Sequence, residues 1–511
     1  MKTNSRTQYA IKNASITTCM QIVNIILGFV SRTIFIYLLN SDYLGVNSLF
    51  TNILTVLSFA ELGIGNAIVF SLYKPIAEND KKKIQALMKF YKNAYWLIGG
   101  FIFFAGLCVI PFLGIIINEK PVIDESLTFI YFLYLSNTAI SYFFSYKKTL
   151  ITACQKDYIV QVYTRVFQFI QLVMQSIFLL ITHNFIIYLI ILIICTIGQN
   201  IALSIKADKM FPILKENNNN VLLEEEKKSI FDNVKALFVY KFGSVILNGT
   251  DNIIISSLIN VSAVGIASNY TMLITNVTNV ISGAISSITA SVGNLSVKGN
   301  KEQIRNVMHQ LLLMSVWLYG FTAIGFMVMA NEFIYLWIGE KYLLDMSVVF
   351  AIVFSIYING AQYAAYTFRT TQGLFVQSRW VPLISAIINI LLSVWWGKLY
   401  GLSGIFIATG VSRLCTTSIV DPWLVYKNNF SKKPYEYYMK YGLETLGVII
   451  NGFIQMKLIG FLHVYGWGGF IVKFITVCIS TNIVFLIEFG GTKDFQALLS
   501  RVVPKFRSKR K

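Results

Sequence analysis

The sequence predicts an all-α polytopic membrane protein of about fourteen transmembrane helices, built as two parallel six-helix lobes followed by two further helices. Three observations carry the prediction. Apolar runs of membrane-crossing length recur along nearly the whole chain, lysines and arginines gather in alternate loops, and one stretch returns after 220 residues. Composition agrees: of 511 residues 55% are hydrophobic and 13% charged, whereas a soluble domain carries roughly 25% charged residues. Mean hydropathy is +0.62. These values exclude a soluble enzyme, receptor or DNA-binding domain. The net charge of +19 invites a nucleic-acid reading, but the basic residues fall in loops on one side of a membrane, so topology accounts for them and no nucleic-acid partner is expected.

Each crossing needs about 20 apolar residues. Runs of that kind cover 14–39, 43–72, 90–117, 126–146, 159–182, 185–205, 234–259, 263–294, 307–330, 344–368, 380–397, 402–426, 438–460 and 466–489. The first follows Lys2, Arg6 and Lys12 as a signal peptide would, but it is too long for one and reads as a retained helix. The closest neighbours are separated only by Thr182-His183-Asn184 and by Trp396 to Leu402. With the N-terminus inside, one set of loops holds Lys74, Lys81 to Lys83, Lys147, Lys148, Lys156, Lys298, Lys301, Arg305, Lys432, Lys433 and the tail from Arg501 to Lys511. The opposite loops hold little besides Lys120, Lys341 and Lys398, together with acids such as Glu119, Asp124 and Glu125. Both termini are therefore expected in the cytoplasm.

The expected organisation is an N-lobe over 1–206, a cytoplasmic linker over 207–232 containing Asn217 to Asn220 and Glu224 to Glu226, a C-lobe over 233–427, two extra helices over 428–490 and a basic tail over 491–511. Little chemistry is on offer. The six cysteines lie far apart without CxxC spacing, and the three histidines form no metal-ligand cluster. No phosphate-binding GxxxxGK[ST] loop is present, which argues against an ATP-driven pump. Outer loops are short and carry no DxD pair, which argues against a membrane glycosyltransferase or polymerase; the protein is not expected to be an enzyme.

Shifting the chain by 220 residues aligns Leu38–Met88 with Leu258–Met308 without a gap. Matched pairs include Asn40/Asn260, Gly45/Gly265, Gly63/Gly283, Lys81/Lys301 and Met88/Met308. An even number of spans precedes the second copy, so the repeat is parallel, about an axis along the membrane normal. Two-lobed transporters of this kind bind substrate between the lobes and rock to expose it alternately. The last two spans lie outside the repeat.

Three segments resemble a known family. Ser58-Phe59-Ala60-Glu61-Leu62-Gly63-Ile64-Gly65-Asn66-Ala67 is similar to the "DLGLGTA"-type segment in the second helix of polysaccharide flippases of the multidrug/oligosaccharidyl-lipid/polysaccharide (MOP) superfamily. Tyr400-Gly401-Leu402-Ser403-Gly404-Ile405-Phe406-Ile407-Ala408-Thr409 resembles that family's "YGIIGAALAT" entrance to span twelve, and Thr371-Gln372-Gly373-Leu374-Phe375 its "QAQGLF" loop. Their order, the fourteen spans and the length agree over nearly the whole chain. The resemblance implies a transporter in a bacterial cell membrane that flips an undecaprenyl-pyrophosphate-linked oligosaccharide from the cytoplasmic to the outer leaflet. Its implied partners are the lipid-linked substrate, membrane lipids, and a polysaccharide polymerase with its chain-length machinery. Glu61 stands where Asp is commoner in the motif.

Charges inside the membrane are costly, about 2.5 to 3.5 kcal/mol each on insertion scales, so they mark cavities or partners. The cations are Arg32, Arg165 and Arg413 well inside apolar runs, with Arg369 and Lys241 nearer the cytoplasmic ends. All five are candidate ligands for a pyrophosphate, because guanidinium presents a fork of donors suited to phosphate. The bland alternative for each is an interhelical salt bridge or snorkelling. Glu61 and Asp251 are the interior acids, whereas Asp421, Glu444 and Glu488 read as close enough to the cytoplasm for solvation. Arg32 corresponds to Asn252 under the repeat, beside Asp251. An Arg32–Asp251 charge pair and a proton- or sodium-coupling role for the carboxylates stay open together; no other cofactor and no metal centre is expected. Tyrosines such as Tyr134, Tyr142 and Tyr366 stand as helix-packing groups or sugar-stacking surfaces. A cation-coupled multidrug exporter and a lipid II flippase are the alternatives within the superfamily.

Overall fold

The computed structural model describes residues 22–61, 64–154, 156–214, 222–430 and 433–502, which form helices and turns with no strand among the described residues. Helices stand at each of the fourteen predicted spans: α1 Ile22–Leu38, α2 Ser41–Leu57, α3 Ile64–Ala77, α4 Lys81–Val109, α5 Leu127–Ala153, α6 Asp157–Thr182, α7 Phe185–Met210, α8 Glu224–Gly249, α9 Asp251–Leu258, α10 Val261–Lys298 and α11 Lys301–Ile338. The remainder are α12 Met346–Ala361, α13 Tyr363–Thr371, α14 Val381–Cys415, α15 Thr417–Phe430, α16 Tyr435–Gly460, α17 Gly466–Phe489 and α18 Lys493–Val502. Among the described residues eight helices are long and apolar enough to cross a membrane, or nine if α5, bent by 46°, counts as one span. The spans outside that count are α1, α2 with α3, α8 with α9, and α10. Apart from α1, whose described part is short, they are rich in Ser, Thr, Asn or charge, as helices are that need a neighbour other than lipid. The all-helical membrane architecture is as the sequence predicts.

Local sequence explains the breaks. The motif segment Ser58–Glu61 forms a 3-10 turn between α2 and α3. At the crowded join between spans eleven and twelve the helix axis folds at Gly401, whose φ of 60° suits glycine. Gly404 then lets the returning chain close on itself, since a Cβ there would lie 2.2 Å from the Trp396 carbonyl oxygen. Between α6 and α7, His183 takes a left-handed φ of 53°, and the Asn184 side chain caps α7 by accepting from the N–H groups of Ile186 (2.8 Å) and Ile187 (3.2 Å). The expected linker is partly helical: Glu224, Glu225 and Glu226 open α8, where carboxylates suit the helix dipole. Asn217 to Asn220 and the end of the tail lie outside the described residues.

The chain divides into two compact units, Met1–Val245 with Asn260–Gly265, and Ile246–Ile259 with Ile266–Lys511. Unit 1 contains the repeat-matched residues at the start of α10, and their roles are now plain. Asn40 caps α2 by accepting from the N–H groups of Asp42 and Tyr43 at 2.9 and 3.2 Å. Asn260 does the same for α10, accepting from Ala263 at 2.8 Å. Gly45 and Gly265 mark a reciprocal crossing: a Cβ on Gly45 would lie 1.9 Å from the Val261 carbonyl oxygen, and one on Gly265 would lie 2.2 Å from that of Ser41. The Ser41 and Ser262 hydroxyls meet at 2.7 Å. Position 41 is matched to 261 by the same 220 shift, so each helix start receives the other's glycine. Cysteines at Ser41 and Ser262 in a cysteine-free background are expected to cross-link under mild oxidation, read as a mobility shift after cleavage between the halves. Adding Gly45→Ala should abolish the link.

Unit 2 is centred on α11, capped by a reciprocal Asn300–Gln303 box. Its buried face packs with α12, α16 and α17. The two extra helices are joined by polar groups: Asn451 donates to the Thr481 carbonyl at 3.0 Å, Gln455 donates to Asn451 at 3.0 Å, and Ser480 donates to Gln455 at 2.5 Å. Outward they present Phe453, Ile479, Ile483 and Ile487. This polar-in, apolar-out pattern follows from lipid as solvent, where interhelical hydrogen bonds of about 0.6 to 2 kcal/mol help hold helices together.

Candidate functional site

Three polar clusters occupy membrane-spanning helices. The first is a cavity of about 320 Å³ within unit 1. Its wall comprises Asn47, Thr51 and Thr55 of α2, Tyr134, Asn137 and Thr138 of α5, Gln171 and Gln175 of α6, and Tyr188 of α7. The amides are oriented by neighbours: Tyr134 donates to Asn47, and Gln171 donates to Gln175 at 3.2 Å, which in turn donates to the Tyr188 carbonyl at 3.0 Å. The Asn137 Oδ1 atom is buried without a hydrogen-bond partner. Arg32 on α1 is not in the wall but lies within electrostatic reach of Tyr134 and Tyr188, which are. No acidic residue lines the cavity among the described residues. Arg165 is on α6, about 9 Å of helix rise from Gln171. Its Nη1 donates to Gln168 at 3.1 Å, its Nε is buried without a partner, and its carbonyl accepts from Asn24 at 3.2 Å.

The second cluster surrounds Glu61 at the break of span two. Tyr95 donates to its carboxylate, and Tyr142 lies within electrostatic reach of it. Lys148 and Lys241 both feel its charge. Lys241 therefore stands with Glu61 rather than among the residues lining the cavity, and the cluster sets two lysines against one carboxylate.

The third cluster lies in unit 2 and joins two residues far apart in sequence, Asp251 on α9 and Arg413 on α14. Thr409 donates to Asp251 at 2.9 Å and accepts from the Asn389 amide at 2.8 Å. Arg413 donates through Nη1 to Asn359 at 2.7 Å and through Nη2 to Asn248 at 2.6 Å. It is also the cation that acts on Asp251. Asn389 is fully buried and its Oδ1 has no hydrogen-bond partner. The carboxylate, hydroxyl and amide oxygens of Asp251, Thr409 and Asn389 form a donor set that fits a proton or a hard monovalent cation, not a thiolate- or imidazole-seeking metal.

Arg369 is placed differently from the cavity residues. It is 1% exposed, its Nε is 3.1 Å from Asp421, it donates to Ser378, and its guanidinium lies 5.2 Å from the Tyr366 ring centre. The motif loop makes this possible: Gly373 turns at a φ of 69°, returning Ser378 beneath the arginine. Asp421, expected to be solvated, is 3% exposed and is the partner; Glu444, expected likewise, is 9% exposed. Arg369→Ala is expected to lower stability by about 3 to 5 kcal/mol, because it strands a buried carboxylate. An apolar pair, Arg369→Met with Asp421→Leu, should recover most of the lost abundance in a membrane-fraction immunoblot.

Charge and aromatic rings were the guides to these sites in the sequence; they offered Tyr134, which lines the cavity, and missed Asn47, Asn137, Gln171, Gln175, Asn248, Asn359, Asn389 and Thr409. The signal available was a neutral amide or hydroxyl inside an apolar run, which is weak because Ser, Thr and Asn also serve helix packing.

No protein-family profile and no curated protein matches the sequence. Solved structures do. A lipid II flippase MurJ in an inward closed conformation superimposes with a TM-score of 0.66 at 14% identity, covering 95% of this chain and 99% of its own. An inward-facing multidrug resistance MATE family transporter of the MOP superfamily gives 0.65 at 12% identity, covering 82% and 98%. A MOP superfamily transporter from Pyrococcus furiosus, described as having a binding pocket of reverse polarity, gives 0.53 at 13% identity, covering 82% and 96%. With its helices and their order in view, this chain has the fold shared by these flippase and transporter structures.

Proposed function

We propose that the protein is a flippase that carries an undecaprenyl-pyrophosphate-linked oligosaccharide repeat unit from the cytoplasmic to the outer leaflet of a bacterial cell membrane, by alternating access, for surface polysaccharide assembly. The carrying observation is the unit 1 cavity. Hydroxyls, amides and phenols are what a glycan hydrogen-bonds to, Arg32 supplies the charge a diphosphate needs, and no described acid lines the wall. A cavity for a cationic drug would be expected to carry a carboxylate in its wall. Within unit 1 Arg165 is a further diphosphate ligand in this reading, and within unit 2 Arg413 is one, while Lys241 stands by Glu61 and Arg369 by Asp421. The Asp251–Asn389–Thr409 group is the coupling site, taking up H+ or Na+ and releasing it as the transport cycle turns.

A second reading, lipid II as substrate, draws on the coverage of the lipid II flippase, 95% of this chain against 82% for the multidrug transporter. Both substrates carry a diphosphate on a lipid, so the cations favour neither. Deleting the gene separates them. The proposed function expects loss of surface polysaccharide with lipid-linked repeat units retained in the inner leaflet; loss of viability with accumulated lipid II would transfer the assignment.

The inside-N, inside-C orientation is part of the proposal. Single cysteines at the exposed positions Asn79, Asp124 and Asp345 should divide cleanly in intact cells: those at 124 and 345 react with an impermeant thiol reagent and that at 79 does not. Labelling at 79 alone would reverse the orientation.

A further inference from the structure

A second pocket, of about 590 Å³, lies in unit 2 where α16 passes the end of α17 and the start of α18. Two carboxylates face it with unused acceptors. Glu444 is 9% exposed, Glu488 is half-buried, and the Oε2 atom of each is buried without a hydrogen-bond partner. Lys440 lies within electrostatic reach of Glu444 but gives its hydrogen bonds elsewhere, to Asp494 at 2.7 Å and to His309 Nδ1 at 2.9 Å. Lys493 is exposed at the lining. Gly447 keeps the space open, since a Cβ there would lie 3.0 Å from Glu488 Oε2.

The position of the pocket identifies the phase it meets. Leu443, Leu446 and Ile450 of α16 line it at helical spacing and are 63%, 52% and 47% exposed, so its rim is continuous with the lipid-facing side. The membrane-spanning α17 ends at Phe489, and the pocket includes the turn into α18, which sets it at the boundary between hydrocarbon and headgroups on the lysine-rich side. Buried carboxylate oxygens need hydrogen-bond donors bearing positive charge. A diphosphate or an anionic lipid is repelled here. A quaternary ammonium has charge but no N–H, and a bare ion leaves a pocket of this size and apolar rim unfilled.

We propose that this pocket binds the primary ammonium headgroup of a membrane aminophospholipid, with the ammonium donating to Glu444 and Glu488, the phosphate near Lys493, and the acyl chains along the Leu443–Leu446–Ile450 face. The site is separate from the diphosphate cavity and takes a resident lipid rather than the transported one. Its test is native mass spectrometry of the full-length protein incubated with dioleoyl phosphatidylethanolamine, phosphatidylcholine and phosphatidylglycerol in equal amounts. The expected result is about tenfold more phosphatidylethanolamine adduct than either competitor, reduced to the phosphatidylcholine level by Glu444→Gln and by Glu488→Gln. Gly447→Ala, which keeps both carboxylates but crowds Glu488, should also weaken it. Equal adducts for the three lipids in the wild type, which requires no variant to fold, would overturn the proposal, as would unchanged phosphatidylethanolamine binding in both glutamine variants. Protection by free ethanolamine equal to that by the lipid would overturn the assignment to a lipid and leave a soluble amine site.

Discussion

Arg32→Ala and Arg413→Ala are each expected to abolish surface polysaccharide while leaving the protein in the membrane at close to wild-type abundance. Arg32 is half-buried, beside a cavity whose wall is already hydrogen-bonded through Tyr134, Asn47, Gln171 and Gln175. Removing it takes away a charge the substrate needs without emptying a packed core. Arg413 is more enclosed: it donates to the neutral side chains of Asn359 and Asn248 and its charge acts on Asp251, but Asp251 keeps the Thr409 hydroxyl when the arginine is removed. A charge-assisted hydrogen bond contributes about 1.5 to 3 kcal/mol, so losing one weakens binding by roughly ten- to a hundredfold. Lysine in either place should retain part of the activity, since charge remains and the planar fork is lost. The measurement is surface glycan beside membrane-fraction protein. Normal glycan in both alanine variants would remove the cationic-site account, and disappearance of the protein would show that the arginines hold the fold instead.

Asp251→Asn should separate transport from its driving gradient. The substitution keeps the size of the side chain and its ability to accept from Thr409, but it removes the one carboxylate of the cluster, whose remaining members are amides, a hydroxyl and the Arg413 guanidinium. In proteoliposomes, flipping driven by an imposed H+ or Na+ gradient is expected to fall at least about tenfold, while slow equilibration of substrate between leaflets without a gradient continues. Abolishing a cation's binding abolishes its differential affinity for the transporter's states, which is all a gradient can act upon. Thr409→Val should give a smaller loss, because the carboxylate remains and only one oxygen ligand disappears. A gradient response preserved in Asp251→Asn would place coupling elsewhere, with Glu61 the next residue to replace.

Several features of this protein can be read from the chain alone because water and lipid impose them on each segment independently. Hydrocarbon demands about 20 apolar residues per crossing, and every predicted span is met by a helix. The matched Asn40/Asn260 and Gly45/Gly265 pairs disclosed a repeat whose meaning is local, a helix cap and a close crossing. Partner choice is another matter. Asp421 reads as a solvated acid near a helix end, yet the turn at Gly373 and the packing of α13 on α15 enclose it with Arg369. Lys241 and Arg32 look alike in an apolar run, but one stands by Glu61 and the other by a neutral cavity wall. Asn389 and Thr409 carry no charge to mark them, and only the folding of α14 back on itself at Gly401 brings them together with Asp251. A side chain's partner depends on the rotation of its helix and on which helix lies opposite. Those are settled by packing among all the helices at once, so the intramembrane charges were visible in the sequence and their roles emerged only in the tertiary structure.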